Sequence, residues 1–236
     1  VVLFIDELQY VKESELGALI TALHRCAQRQ LPVTLVGAGL PQLTAQLGAA
    51  KSYAERMFEF AAIGSLDERH ARQALEAPAK ELGLRYEPAA LRVIYQQTLG
   101  YPYFLQMWGK HAWDVADKSP ITAADVTEAT RLALAELDAG FFRVRLDRLS
   151  PAEKLYLRAM AQLGPGPHRS GEVAAALGRS VRTVAPTRAK LIAKGMLYSP
   201  AHGDTAFTVP LFDAYMRRVM PFEPETGEAG PPGARP

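Results

Sequence analysis

A single cysteine, Cys26, leaves no partner for an internal disulfide, and the expected setting is a reducing cytoplasm. Cys26 falls in a helical pattern and reads as a small buried residue. No apolar run approaches the ~18 residues of a membrane-spanning helix, so no membrane partner is expected. The apolar opening, residues 1–5, is followed at once by carboxylates and preceded by no basic segment, unlike a secretory leader. The five histidines, at positions 24, 70, 111, 168 and 202, are too scattered for a metal-ligand pattern, and no nucleophile elbow is present. A hydrolase built on those groups is therefore disfavoured. The phosphate-binding signature G-x-x-x-x-G-K-[ST] is also missing.

What is present is an ordinary globular composition, 48% apolar and 22% charged, with the charge unevenly spread. Residues 1–149 hold 16 Lys and Arg against 18 Asp and Glu, whereas residues 150–220 hold 10 against 4. A basic C-terminal module points to a polyanionic partner for that module.

The pattern opens as strand, helix, strand. Residues 1–5 are a continuous apolar run, expected as a strand buried on both faces. Leu16, Leu19, Ile20, Leu23 and Ala27 give helical spacing over 14–29, with Ser14 as the expected N-cap. VTLVGAG (33–39) is a second buried strand. This βαβ unit implies a parallel sheet with a right-handed crossover. A short strand or extended segment is expected at 58–65. Helices are then expected near 67–82, 88–98, 102–117, 122–138 and 140–146, started by Asp67, Pro88, Pro102 and Thr122. A last module reads as helices 150–163, 170–177 and 181–195, short strands at 196–200 and 205–209, and a closing helix 210–219. Residues 222–236 are rich in Pro, Gly and Glu and are expected to be disordered.

Two motifs carry chemistry. Leu3-Phe4-Ile5-Asp6-Glu7 delivers two carboxylates at the C-terminal end of a strand, where α/β sheets bind ligands. Gly100-Tyr101-Pro102 ends one helix and opens the next, with Pro in the first turn that tolerates a missing N–H. The acidic strand end resembles a Walker B motif. Gly100-Tyr101-Pro102 resembles the Gly-x-Pro motif of STAND ATPases, and VTLVGAGLPQL is similar to the strand that follows Walker B in AAA-type ATPases. Tyr53 to Phe58 resembles the segment in which such ATPases carry an arginine. Over residues 1–220 the chain thus resembles an AAA/STAND-type P-loop ATPase, including archaeal and origin-recognition-like members, that starts inside its Walker B strand.

The resemblance implies an α/β fold, a partial parallel P-loop sheet, followed by an all-α lid and a winged-helix domain. The implied boundaries are 1–65 for the core, 66–148 for the lid, 149–221 for the winged helix and 222–236 for the tail. It implies ATP and Mg2+ as cofactors, with Asp6 holding Mg2+, Glu7 activating water and Arg56 serving as an arginine finger in cis or across an oligomer. Arg56 reads equally as a solvated surface arginine. Gly100, Tyr101 and Pro102 would pack against the adenine, and Tyr103 would add aromatic contact. The strand after Walker B ends in Gly37-Ala38-Gly39, with no Asn, and Thr34 lies too deep in it to stand in, so no γ-phosphate sensor is implied there. Without a phosphate loop, ATP hydrolysis by this stretch alone is expected to be very weak.

In the last module, Val173, Ala176, Leu177, Val181, Val184, Leu191 and Ile192 are expected to form a small core. Arg179, Arg182, Arg188, Lys190 and Lys194 lie on or beside its second helix, as in duplex-DNA readers, with His202 at the wing tip. Two uses stay open: binding duplex DNA, or acting as a clamp or contact for a protein partner. A non-catalytic scaffold is the alternative to a switch ATPase.

Overall fold

The computed structural model describes residues 1–201 and 203–222. His202 and the tail beyond Phe222 lie outside the described residues. The chain divides into two compact units, one of residues 1–63 with 189–208 and the other of residues 64–188 with the segment from Val209 onward.

The first unit opens with β1 (Val2–Ile5), a 3-10 turn (Leu8–Tyr10), α1 (Glu13–Gln28) and β2 (Thr34–Gly37). Strands β1 and β2 are parallel, in register Val2↔Thr34 to Ile5↔Gly37. Helices α2 (Leu43–Ala50) and α3 (Ala54–Met57) follow. Leu8, Leu16, Ile20, Leu47 and Ala54 form the core, with Ile5 and Leu43 packed against it. The α1 N-cap is Lys12 rather than Ser14; the Lys12 N–H donates to Glu15 at 3.3 Å, so the first turn closes two residues earlier. Cys26 is half-buried.

The two strands are not buried on both faces. Val2 is 54% exposed, Phe4 78% and Val36 49%. Side chains alternate across a strand, so Val2, Phe4 and Val36 share one face while Ile5 points to the opposite, helix-covered face. Among the described residues the sheet has two strands, and the core lies on one side only. Residues 58–66 form no strand, and Ile63 is 96% exposed.

The second unit is helical: α4 (Glu68–Glu81), α5 (Pro88–Thr98), α6 (Pro102–Val115) and α7 (Ala123–Glu136). Local chemistry sets the starts. Asp67 accepts the His70 N–H at 2.8 Å, Thr122 and Asp125 form a capping box, and Pro88 and Pro102 open their helices. Trp108 is buried and donates to Thr130 at 2.9 Å, tying α6 to α7. The expected break before residue 140 is absent. A π-helical turn (Leu137–Phe142) joins α7 directly to α8 (Arg143–Asp147), because Leu137 and Phe142 are both drawn into the core.

Next come α9 (Pro151–Gln162), a two-residue strand β3 (His168–Arg169), α10 (Ser170–Ala176) and α11 (Val181–Ala193). After α11 come β4 (Leu197–Tyr198) and β5 (Asp204–Phe207), paired antiparallel, then α12 (Phe212–Val219). Val173, Leu177, Val184 and Leu191 are buried, but Val181 is exposed because it is the first residue of α11. Phe142 packs edge-on against Phe212 and is stacked with Tyr215, and Arg218 pairs with Asp138 at 2.6 Å, so α12 is fastened to the π-helical turn.

Candidate functional site

The end of β1 is built by close backbone approach. The Ala38 N–H donates to the Ile5 carbonyl at 2.9 Å and the Leu8 N–H to the Ala38 carbonyl at 3.0 Å, so the chain after β1 folds back onto the end of β2. A Cβ on Gly37 would collide with the Leu8 side chain, and one on Gly39 would lie 2.7 Å from Gln9 Oε1. The glycines at this strand end thus make room for the turn. Thr34 lies at the start of β2, opposite Val2.

Asp6 and Glu7 are both exposed at this end. The Glu7 N–H donates to Asp6 Oδ1 at 2.8 Å. Glu7 has φ 55° and ψ 37°, the left-handed conformation rarely adopted by a residue with a side chain. Its carboxylate accepts from Gln9 Nε2. Gln9 is itself buried, and its Oε1 accepts the Leu40 N–H at 3.1 Å. Gln9 is a site residue that motif reading missed; the signal for it is a side-chain amide two positions after the acids. The network fixes a carboxylate pair at the carboxyl end of a parallel sheet, an arrangement suited to a hydrated cation and an ordered water.

Arg56 lies on α3, exposed, and makes no hydrogen bond or ion pair through its guanidinium with a described residue. No such bond joins it to Asp6 or Glu7.

In the helical unit, Gly100, Tyr101 and Pro102 form one rigid joint. Gly100 has φ +70°, and a Cβ there would overlap the Leu66 carbonyl oxygen. The Leu66 N–H donates to the Gly100 carbonyl at 2.9 Å, and the Tyr101 N–H to Thr98 at 3.0 Å. Tyr101 is half-buried and Tyr103 is 47% exposed. Tyr103 stacks on Phe141 of the π-helical turn with centroids 4.9 Å apart. Met107 and Trp108 are core residues. Arg145, not singled out by any motif, lies over Phe141 with its Cζ 3.6 Å from the ring centroid.

Arg179, Arg182, Lys190 and Lys194 are exposed and Arg188 is half-buried. Arg182, Arg188 and Lys190 lie within α11; Arg179 precedes it and Lys194 follows it.

Comparison with solved structures shows a fold similar to that of a Walker-type ATPase. The Walker-type ATPase PABY2304 of Pyrococcus abyssi matches with a TM-score of 0.63 at 16% identity, over 92% of this chain and 63% of that one. A point mutant of RuvB from Thermotoga maritima matches with a TM-score of 0.50 at 19% identity, over 93% and 70%. The T. maritima RuvB structure described as a Holliday junction branch migration motor matches at 20% identity with a TM-score of 0.47, over 94% and 70%. A family model, Domain of unknown function (DUF8462), matches residues 139–216. No curated protein matches the chain. Among the described residues, no helix is long and apolar enough to cross a membrane.

Proposed function

We propose that this chain supplies the Walker B strand, the strand after it, the helical lid and a winged-helix module of a nucleotide-driven switch ATPase of the AAA/STAND kind. The carrying observation is the Asp6–Glu7 pair at the carboxyl end of β1, with Glu7 in a left-handed conformation and its carboxylate held by Gln9. The donor set fits Mg2+, which is commonly held by one or two carboxylates with water and substrate phosphates completing the shell. Bound Mg2+ would neutralise phosphate charge. Asp6 would hold it through water, and Glu7, oriented by Gln9, would position the attacking water and accept its proton. Arg56, whose guanidinium has no partner among the described residues, would meet transition-state charge in cis or across an oligomer. Gly100, Tyr101 and Pro102 would pack against the adenine. Residues 1–65, 66–148 and 149–221 would be core, lid and winged helix, and this stretch without a phosphate loop would turn over ATP very slowly.

The test uses a protein in which this chain is joined to a phosphate-binding loop. Glu7→Gln should lower ATP turnover roughly a hundredfold or more while leaving ATP binding intact. Unchanged turnover would sink the water-positioning role.

A second reading has its own support in the basic residues on and beside α11. It makes the chain a non-catalytic scaffold that binds duplex DNA, or a protein partner, through the winged helix.

A further inference from the structure

We propose that a cavity between α4 and α6 of the helical unit binds a small fused-ring apolar molecule carrying one hydrogen-bond acceptor, which the Tyr86 hydroxyl would meet. Pro102, Leu105, Gly109 and Trp113 recur at helical spacing along one face of α6, and Ala74, Leu75 and Ala79 line the same cavity from α4. Several of these residues are small: Gly109 has no side chain, and Ala74 and Ala79 supply only methyl groups. A cavity of about 270 Å³ therefore stays open between the helices. Leu75, Ala79 and Leu105 are buried in its wall, while Leu82, 72% exposed, and Trp113, 36% exposed, line it from the solvent side.

The chemistry of the ligand follows from Tyr86, which also lines the cavity. The residue is only 8% exposed, and its hydroxyl lies 3.9 Å from the position a Cβ on Gly109 would take. That hydroxyl makes no hydrogen bond with a described residue. A buried hydroxyl without a partner is costly until one arrives. Burial pushes the Tyr86 phenol above its ordinary value of 10.0, so it stays a neutral donor at neutral pH. An ordered water fits poorly, because it needs several polar partners. The other polar side chains on the wall, Gln106 and Lys110, are exposed, and Lys110 is paired with Glu136 at 3.6 Å. The volume sets the size of the ligand. A cavity of about 150 Å³ holds a benzene ring and drug-sized ligands take about 300 Å³ or more, so a bicyclic ring system matches this one.

The test titrates the full chain, uniformly 15N-labelled, with quinoline, whose ring nitrogen is the acceptor, and with naphthalene, which has none. The Gly109 backbone amide and the Trp113 indole N–H, assigned by its loss in Trp113→Phe, should shift and saturate with quinoline at a dissociation constant on the order of 1 mM or below. Tyr86→Phe should weaken quinoline about fivefold, the worth of one hydrogen bond, and leave naphthalene unchanged. Ala74→Leu, which enlarges an exposed part of the wall, should weaken both. Quinoline affinity unchanged in Tyr86→Phe overturns the site. So does a shift that fails to saturate up to the solubility limit of quinoline, which would leave Leu82 and Trp113 to a side chain of a protein partner. Should Tyr86→Phe fail to fold, naphthalene bound as tightly as quinoline, or affinity unchanged in Ala74→Leu, overturns it as well. The readout needs neither nucleotide nor turnover, so a failure of the Glu7→Gln test leaves it standing.

Discussion

Gly100 is constrained twice over. Its φ of +70° is costly for any residue with a side chain, and the space a Cβ would need is taken by the Leu66 carbonyl. Leu99 before it also has positive φ, at 51°, so the joint already carries one strained residue. Gly100→Ala should cost roughly 1–3 kcal/mol from the backbone conformation alone, with more from displacing Leu66. A urea unfolding curve checks this: a midpoint within error of the parent would show that the turn relaxes freely. The Gly-x-Pro spelling made this position legible, because glycine before a helix-opening proline has few other uses. Gln9 and Arg145 were not legible in the same way. Their roles depend on what approaches them through space, a backbone N–H 31 residues on for Gln9 and a ring on the preceding helical turn for Arg145.

Most helix starts were readable because capping is local, although α1 starts from Lys12 and not from the expected Ser14. Asp67, Thr122 and Ser150 each accept a backbone N–H within three residues, and such bonds need no tertiary information. The π-helical turn was not readable, because it arises from packing: Phe142 has to reach Phe104, Phe212 and Tyr215, which lie on α6 and α12. The sheet was half readable. Apolar runs gave the two strands and their parallel order, but the opened face with Val2, Phe4 and Val36 follows from what packs on it, which periodicity does not encode. The capping box of α7 offers a quantitative check at this level. Bonds from the Thr122 N–H and hydroxyl hold the Asp125 carboxyl below its ordinary value of 3.8. A depressed folded pKa stabilises above the unfolded value, and that contribution is lost as pH falls through the folded one. Thr122→Ala should therefore cost about 1 kcal/mol at neutral pH, and the gap to the parent should narrow below pH 3.8 as Asp125 protonates. Denaturant melts of both proteins along a pH series measure the gap; a gap that stays constant down to the acid limit would mean that the carboxylate is not part of the cap.

Across the whole molecule the excess of positive charge sits in residues 150–220, with 10 Lys and Arg against 4 Asp and Glu. Composition made that legible; which of the cations are available did not follow from it. Arg179, Arg188 and Lys194 already interact within the chain, whereas Arg182 and Lys190 are exposed and make no ion pair with a described residue. That distinction sets the magnitude of the DNA-binding reading. If Arg182, Lys190 and one of the engaged residues meet phosphates, log affinity should fall against log salt with a slope of about −2 to −3. Between about 50 and 200 mM salt that amounts to a roughly fifteen- to sixtyfold loss. The double change Arg182→Gln with Lys190→Gln should take away most of the slope, because each phosphate contact contributes close to one. Fluorescence anisotropy of a labelled duplex with the full chain reads both quantities. Absence of binding at the lower salt removes the DNA reading and leaves the basic residues of this module to a protein partner, while binding with a slope that survives the double change moves the phosphate contacts away from α11.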